Sequence, residues 1–275
     1  MKNVTRLLAL LVVLSLAVFS CEKETTTLEN EVSREVLEQI ADLGFDISDG
    51  VEVVEEGYRV ENDIILTHEY LERNPTEGRI PNLEQYSTTN LVSTNGSRTI
   101  AIYARTGRKG FSTGMIAGLD EAIARYNAEN LAISFQRVSR SRDADIVMTR
   151  LSKRDERRGV LGSAGFPTAS GDPYNEIKMS GILESAYGLS TDGIATIIAH
   201  EMGHCIGFRH TDFFDRSISC GGSPANEGTA GVGANHIPGT PTGASLADQS
   251  WMLSCTDGSD RPFNNDDQTA LDFLY

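Results

Sequence analysis

Residues 200–210 read HEMGHCIGFRH, three imidazoles and one carboxylate within eleven positions. His200 and His204 are four apart, so on a helix they stand one turn above each other on the same face. Two neutral imidazole nitrogens at that spacing can reach one metal ion at about 2.0–2.1 Å. Glu201 follows the first candidate ligand directly. It projects beside the ion rather than onto it, where a general base for metal-activated water belongs. Gly207 accepts the left-handed conformation that ends a helix, and the chain can then turn back to bring His210 to the same ion. Three protein ligands leave a fourth position open, which separates catalytic zinc from structural zinc. Three of the five histidines in the chain fall in this segment, so a helix with incidental surface histidines is a poor account of it.

These side chains need a helix, and the pattern supplies one from Ser190 or Thr191 to Gly207, with Ile194, Ile197 and Ile198 continuing its apolar side. Upstream, Thr99 to Ala104 read as a strand. Ser112 or Thr113 caps a helix whose buried stripe is Met115, Leu119, Ile123 and Tyr126. Leu131 to Val138 give a second strand, with Leu131, Ile133 and Phe135 on one face. Ala144 to Leu151 give a third, and Asn175 to Leu183 a further one. Strand, helix, strand, strand, then the histidine helix is the order of an α/β sheet with helices packed on it.

The chain of 275 residues suits one catalytic domain plus an extra segment. Its net charge of −15 argues against nucleic acid and against basic-patch binding to anionic lipid. The charge is uneven. Residues 22–97 hold 18 acidic and 5 basic residues, whereas residues 98–275 hold 21 and 17. The N-terminal third is therefore a strongly acidic piece on a nearly neutral one, either a solvated spacer or a removable segment. It reads as an amphipathic helix over 28–44, a hairpin over 51–61 turning at Glu55-Glu56-Gly57, an apolar stretch Ile64-Ile65-Leu66, and an aperiodic linker over 73–97.

Residues 1–21 carry a targeting signal. Lys2 and Arg6 precede a thirteen-residue apolar run, Leu7 to Phe19, too short to span a membrane. Its end, Val18-Phe19-Ser20-Cys21, resembles a bacterial lipoprotein box, loosely because of Phe19. Cys21 would then begin the mature chain and carry lipid. Export opens an oxidising compartment, where Cys220 and Cys255 are expected to pair. Cys205, one position past the ligand face, reads as a small buried hydrophobe.

HExxHxxGxxH is the signature of the metzincin metallopeptidases, and residues 98–275 resemble that clan beyond the motif. The string GFRHTD and the tail Phe263 to Tyr275 most resemble the bacterial HEIGH-type members, with Met202 in place of the isoleucine. The resemblance implies a mixed α/β fold. It has a twisted, mostly parallel sheet with an antiparallel edge strand, an active-site helix and a small C-terminal subdomain with a Met-turn. Ser250-Trp251-Met252 is the Met-turn candidate, with Met252 packing beneath the imidazoles. Residues 159–167 are similar to the cleft-lining strand of such enzymes, with Gly162, Ser163 and Ala164 offering main-chain bonds to an extended peptide.

The implied activity is zinc-dependent endopeptidase chemistry, with His200, His204 and His210 holding zinc and Glu201 handling protons. The expected partner is a protein or peptide substrate and the expected state a monomer. Lipid on Cys21 would be its link to the bacterial cell envelope, and cleavage near residue 97 would release it. A binding protein on the same scaffold, or a zinc enzyme acting on a non-peptide amide, are the rival readings, and intact Glu201 argues against the first. Calcium near Asp257, Asp260, Asp266 and Asp267 is a weaker reading than a terminal helix capped by Asn264 or Asn265. No cysteine lies in residues 22–97, which excludes a cysteine latch from that segment. Asp46, Asp49 or Asp63 could in principle cap the zinc, a reading the sequence does not favour. His68 and His236 read as plain loop histidines, and no tyrosine follows Met252 at a spacing that suits a further ligand.

Overall fold

The computed structural model describes residues 32–43, 45–47, 50–73, 85–108, 110–228, 232–241 and 243–275. The targeting segment, Cys21 and Asp49 lie outside the described residues. Residues 32–275 form one compact unit.

Four strands make the parallel part of the sheet: β5 (Arg98–Ala104), β6 (Ile133–Val138), β7 (Ile146–Arg150) and β9 (Glu176–Met179). β5 lies between β6 and β7, and β7 pairs in turn with β9. β8 (Gly162–Ala164) runs antiparallel to β9, as the expected edge strand should. It is not an edge. The N-terminal segment contributes β1 (Glu52–Val54), β2 (Gly57–Val60) and β3 (Ile64–Thr67), and β3 pairs with β8. The result is one eight-stranded sheet in the order β1-β2-β3-β8-β9-β7-β5-β6. The unpaired backbone of β8 is what drew a strand onto it.

Among the described residues seven α-helices accompany this sheet, the last near the C-terminus. α1 (Arg34–Asp42) starts where Ser33 accepts from the Val36 N–H, and residues 28–31 and 44 of the expected helix lie outside the described residues. α2 (His68–Arg73) follows β3. α3 (Thr113–Ala128) is capped by Ser112, and its stripe of Met115, Leu119, Ile123 and Tyr126 is buried as expected. α4 (Lys153–Arg157), α5 (Thr191–Ile206), α6 (Ser217–Cys220) and α7 (Asn265–Leu274) complete the set. α3 and α5 lie on one face of the sheet over a shared apolar core. They approach closely where Gly118 faces Ile194, since a Cβ on Gly118 would stand 2.5 Å from that side chain. A second apolar cluster, with Ile40, Leu43, Val60, Ile64, Leu66 and Leu71, belongs to the N-terminal segment.

Part of the expected linker is core. Tyr86–Ser87 form β4, paired with β10 (Asn235–His236), and Gln85 to Thr88 are buried. The backbone N–H of Arg209 donates to Tyr86 and that of Thr88 to Gly207. This stretch carries no apolar alternation because it is held through its backbone and through polar side chains. Gln85 donates to Ser250 and Asp267.

Candidate metal centre

Local sequence places the candidate ligands on and just beyond α5. Ser190 starts α5 by accepting from the Gly193 N–H, and Gly207 ends it at φ 109°. A Cβ at Gly207 would also press on Leu91 and Thr88, so the turn needs glycine twice over. His200, Glu201, His204 and His210 are all buried. The three imidazole centroids are 4.7, 4.9 and 5.2 Å apart.

Each imidazole is oriented by an acceptor on its outer nitrogen. Nδ1 of His200 lies 2.8 Å from the Trp251 carbonyl, Nδ1 of His204 2.9 Å from the Phe208 carbonyl, and Nδ1 of His210 2.7 Å from Glu227 Oε1. A carbonyl or carboxylate partner fixes the proton on Nδ1 and leaves Nε2 with its lone pair free for a metal. Nε2 of His204 is buried without a hydrogen-bond partner among the described residues. Such an orphan is costly unless an ion fills the space. Three convergent imidazoles, each anchored through Nδ1, suit zinc in a site with an open position once His210 has given up the proton that faces Asp63, so the residues present fit that ion.

Burial pushes His204 down, and the neighbouring His200 and His210 push the same way. At His210 burial acts in that direction too, but Glu227 and Asp63 outweigh it and raise the imidazole. Burial lifts the Glu201 carboxyl well above the usual range, and the charge of Asp63 adds to this. Oε2 of Glu201 has no partner among the described residues. A raised carboxylate beside the metal position is fitted to take up and return a proton. The carboxylate depends on β8 for space, as a Cβ on Gly162 would lie 2.2 Å from its Oε1.

Met252 lies beneath the helix as expected, fully buried. A Cβ on Gly203 would stand 2.6 Å from its Sδ, and its carbonyl accepts from the Thr211 N–H. Cys220 and Cys255 form a disulfide, and Cys205 is buried and free. His68 and His236 stand apart from the cluster, the first edge-on to Tyr58 and the second beside Thr240. The calcium reading finds no site. Asp267 and Asn264 make a capping box on α7, Asp260 pairs with Arg125, and Asp257 accepts from Ser259. These carboxylates make no metal-sized cluster among the described residues.

Two acidic residues stand at the centre, one that the sequence did not single out and one that it offered only as a disfavoured cap. Glu227 is fully buried behind His210, with Arg209 and Arg216 each 3.3 Å away. It lies 17 positions after His210 in a Gly-rich stretch, with no spacing rule to find it. Asp63 is the second. Its Oδ2 lies 3.2 Å from Nε2 of His210 and 3.8 Å from Nε2 of His200, and it joins the three histidines in one group of ligand atoms within 4.8 Å of one another. Burial opposes its ionisation, but His210 and His200 hold it well below the ordinary carboxylate range. Glu61 and Asn62, both at positive φ, turn the β2–β3 loop that carries it.

A mostly parallel sheet over an active-site helix, three outward-anchored histidines and a buried glutamate beside them define a metallopeptidase. The chain belongs to the dual-action HEIGH metallo-peptidase family, whose model matches residues 58–275. Two solved structures of myroilysin are similar to it at low identity. One is 14% identical with a TM-score of 0.39 and covers 67% of this chain and 96% of its own. The other is 12% identical with a TM-score of 0.36 and covers 88% and 95%. Comparison with curated proteins gives no match.

Proposed function

We propose that the protein is a zinc-dependent endopeptidase acting on proteins of the cell envelope or its surroundings. The observation that carries this reading is the convergence of three buried imidazoles whose Nδ1 atoms are all occupied from outside. His200, His204 and His210 would hold zinc, which when bound supplies a Lewis acid for the scissile carbonyl and lowers the pKa of water. Glu201 receives a proton from the attacking water and gives it to the leaving amine. The chain is a monomer, anchored by lipid on Cys21. Incubation of the zinc-loaded chain carrying Asp63→Ala with folded and unfolded protein substrates tests this. That chain is expected to cut internal bonds, and adding Glu201→Ala to keep its zinc while losing at least about 10²-fold in turnover, on the order of the acid–base contribution. Cleavage of non-peptide amides alone would favour the amidase reading.

The N-terminal segment supports a latent form. β3 fills the side of β8 that an extended substrate would use, with the Ala164 N–H donating to the Asp63 carbonyl at 2.9 Å. Asp63 offers a carboxylate oxygen within 4.8 Å of the nitrogens of the three histidines that would hold zinc. Activation then requires displacement of residues 52–67, and cutting the chain between Arg73 and Gln85 is the simplest route. Asp63→Ala is expected to raise the activity of the intact chain. Unchanged activity on intact chain that is otherwise competent after cleavage would remove the latch.

A further inference from the structure

A cavity of about 340 Å³ opens beside Glu201. The body of the protein lines it with one carboxylate, Glu201, and three arginines, Arg158, Arg216 and Arg261. Its other charges, Glu61 and Asp63, come from the N-terminal loop.

Arg261 is the unusual member. It is 3% exposed. Nη1 donates to the Cys255 carbonyl at 3.0 Å, and Nη2 lies 3.4 Å from Asp257, a side chain 66% exposed. Nε is buried with no partner among the described residues. Its nearest acidic neighbour in sequence, Asp260, is 3.0 Å from Arg125 instead. A buried guanidinium with one solvent-facing carboxylate and an idle donor is poorly compensated. Arg261 lines the cavity, and a guanidinium is suited to a carboxylate.

The present occupant of the cleft has that chemistry. Glu61-Asn62-Asp63 lies along the same cavity, and Nη2 of Arg216 donates to the Glu61 carbonyl at 3.4 Å. Arg158 pairs with Glu52 of the same segment. An acidic stretch of the chain therefore already sits on the arginine-lined wall.

We propose that this cavity receives an acidic side chain of the substrate, with Arg261 as its charge partner, so that the enzyme cuts on the amino side of Asp or Glu. The side is set by Glu201. It returns the proton to the departing nitrogen, and it lines this cavity. The residue whose side chain enters here is thus the one whose nitrogen leaves. Hydrolysis breaks the C–N bond, adds the water oxygen to the carbonyl carbon, and frees a new amino terminus bearing the acidic residue. The inference rests on the peptidase reading above.

The test is product mapping. Zinc-loaded full chain and its Asp63→Ala variant are incubated with a library of amine-blocked peptides, and the new amino termini are identified by mass spectrometry. Asp and Glu are expected to exceed Asn and Gln there by about tenfold or more, the scale on which a buried charged group left unpaired discriminates. Arg261→Gln in the Asp63→Ala background should erase that preference and move cleavage toward neutral residues. Arg261→Lys should keep part of it. Thermal midpoints of both variants separate loss of preference from loss of fold, and the product pattern of the Asp63→Ala parent decides the proposal should both variants unfold. Cleavage before apolar or unselected residues overturns the acidic preference and leaves the peptidase reading standing. No cleavage of any peptide, with zinc bound and the loop released, overturns both.

Discussion

Gly162 of β8 and Glu201 of α5 share one space: a side chain on the glycine would stand 2.2 Å from the carboxylate Oε1. The strand expected to hold substrate therefore also sets where the proton acceptor stands. Gly162→Ala must push Glu201 aside or part β8 from the helix. Turnover is expected to fall by about 10²–10⁴-fold, the range lost when a general base is misplaced. Zinc content should stay near one per chain, because the three histidines are anchored elsewhere. Metal analysis with single-turnover kinetics checks this. Normal turnover in Gly162→Ala would show that Glu201 does not act from the position described.

Glu227 fixes His210 from behind, and Arg209 and Arg216 hold Glu227 in turn. Burial works against its charge, but His210 and the two arginines hold it at about 2. Glu227→Ala is expected to weaken zinc binding by about 10–100-fold, the usual effect of removing a ligand's outer partner. Glu227→Gln keeps an oxygen for the imidazole N–H and should fall between. Competition with a chelator measures both. A fall in thermal stability of the metal-free protein with no change in zinc affinity would make Glu227 structural only.

The helix and its ligands were legible because their spacing is local. His200, Glu201 and His204 are fixed by one helical turn, and Gly207 and His210 by the turn that ends it. The parallel strands β5, β6, β7 and β9 were legible for a similar reason, each showing its own apolar period, whereas β8 and the two-residue β10 show none. Asp63 was legible only as one of three disfavoured candidates, and Glu227 and Arg261 were not legible at all. Asp63 reaches the centre through a contact made across the fold, 147 positions from His210, and no periodicity records such a contact. Glu227 and Arg261 lie in loops where no motif marks a buried charge. The buried run Gln85 to Thr88 escaped because it is polar and bonded through its backbone. The pairing of β3 with β8 rests on a single register pair, Ile64 with Ala164, and strand partners are not written in either strand alone.

Gly203 stands between the two helix histidines, and it is there to let the Met-turn close. Met252 Sδ would be 2.6 Å and Trp251 Nε1 3.3 Å from a Cβ at this position. Trp251 cannot simply yield, because its carbonyl orients His200 and its indole donates to Tyr126 and Ala199. Overpacking a full core costs about 1–3 kcal/mol, and Gly203→Ala is expected to lose that much in denaturant unfolding. Zinc affinity should fall as well, since relief of the clash moves the His200 partner. Wild-type stability and zinc affinity in this variant would mean that the Met-turn is free to adjust.

Several ion pairs hold the N-terminal segment to the body, and two of them join β2 and the β1–β2 turn to α4 and β9. Glu56 bonds Lys178 of β9 at 2.7 and 2.8 Å, and Arg59 lies 3.0 Å from Asp155 of α4. Burial tends to raise both carboxyls, but Lys178 lowers Glu56 and Arg59 lowers Asp155 below their ordinary values of 4.5 and 3.8. A carboxylate lowered in the folded state gives stability that is whole above its ordinary value. That stability is lost as pH falls through the lower, folded value. Glu176, raised by its burial, gives up its charge first and leaves Lys178 to Glu56. Attachment of residues 52–67 is therefore expected to be constant from neutral pH to about 5 and to weaken below about 4, the window set by those two values. Amide exchange of β2 and β3, read against β5 as an internal reference, measures it. Lys178→Met should loosen the hairpin already at neutral pH and flatten the acid response. If exchange in β2 and β3 follows β5 at every pH, the hairpin opens only when the whole domain does, and acid is no route to release.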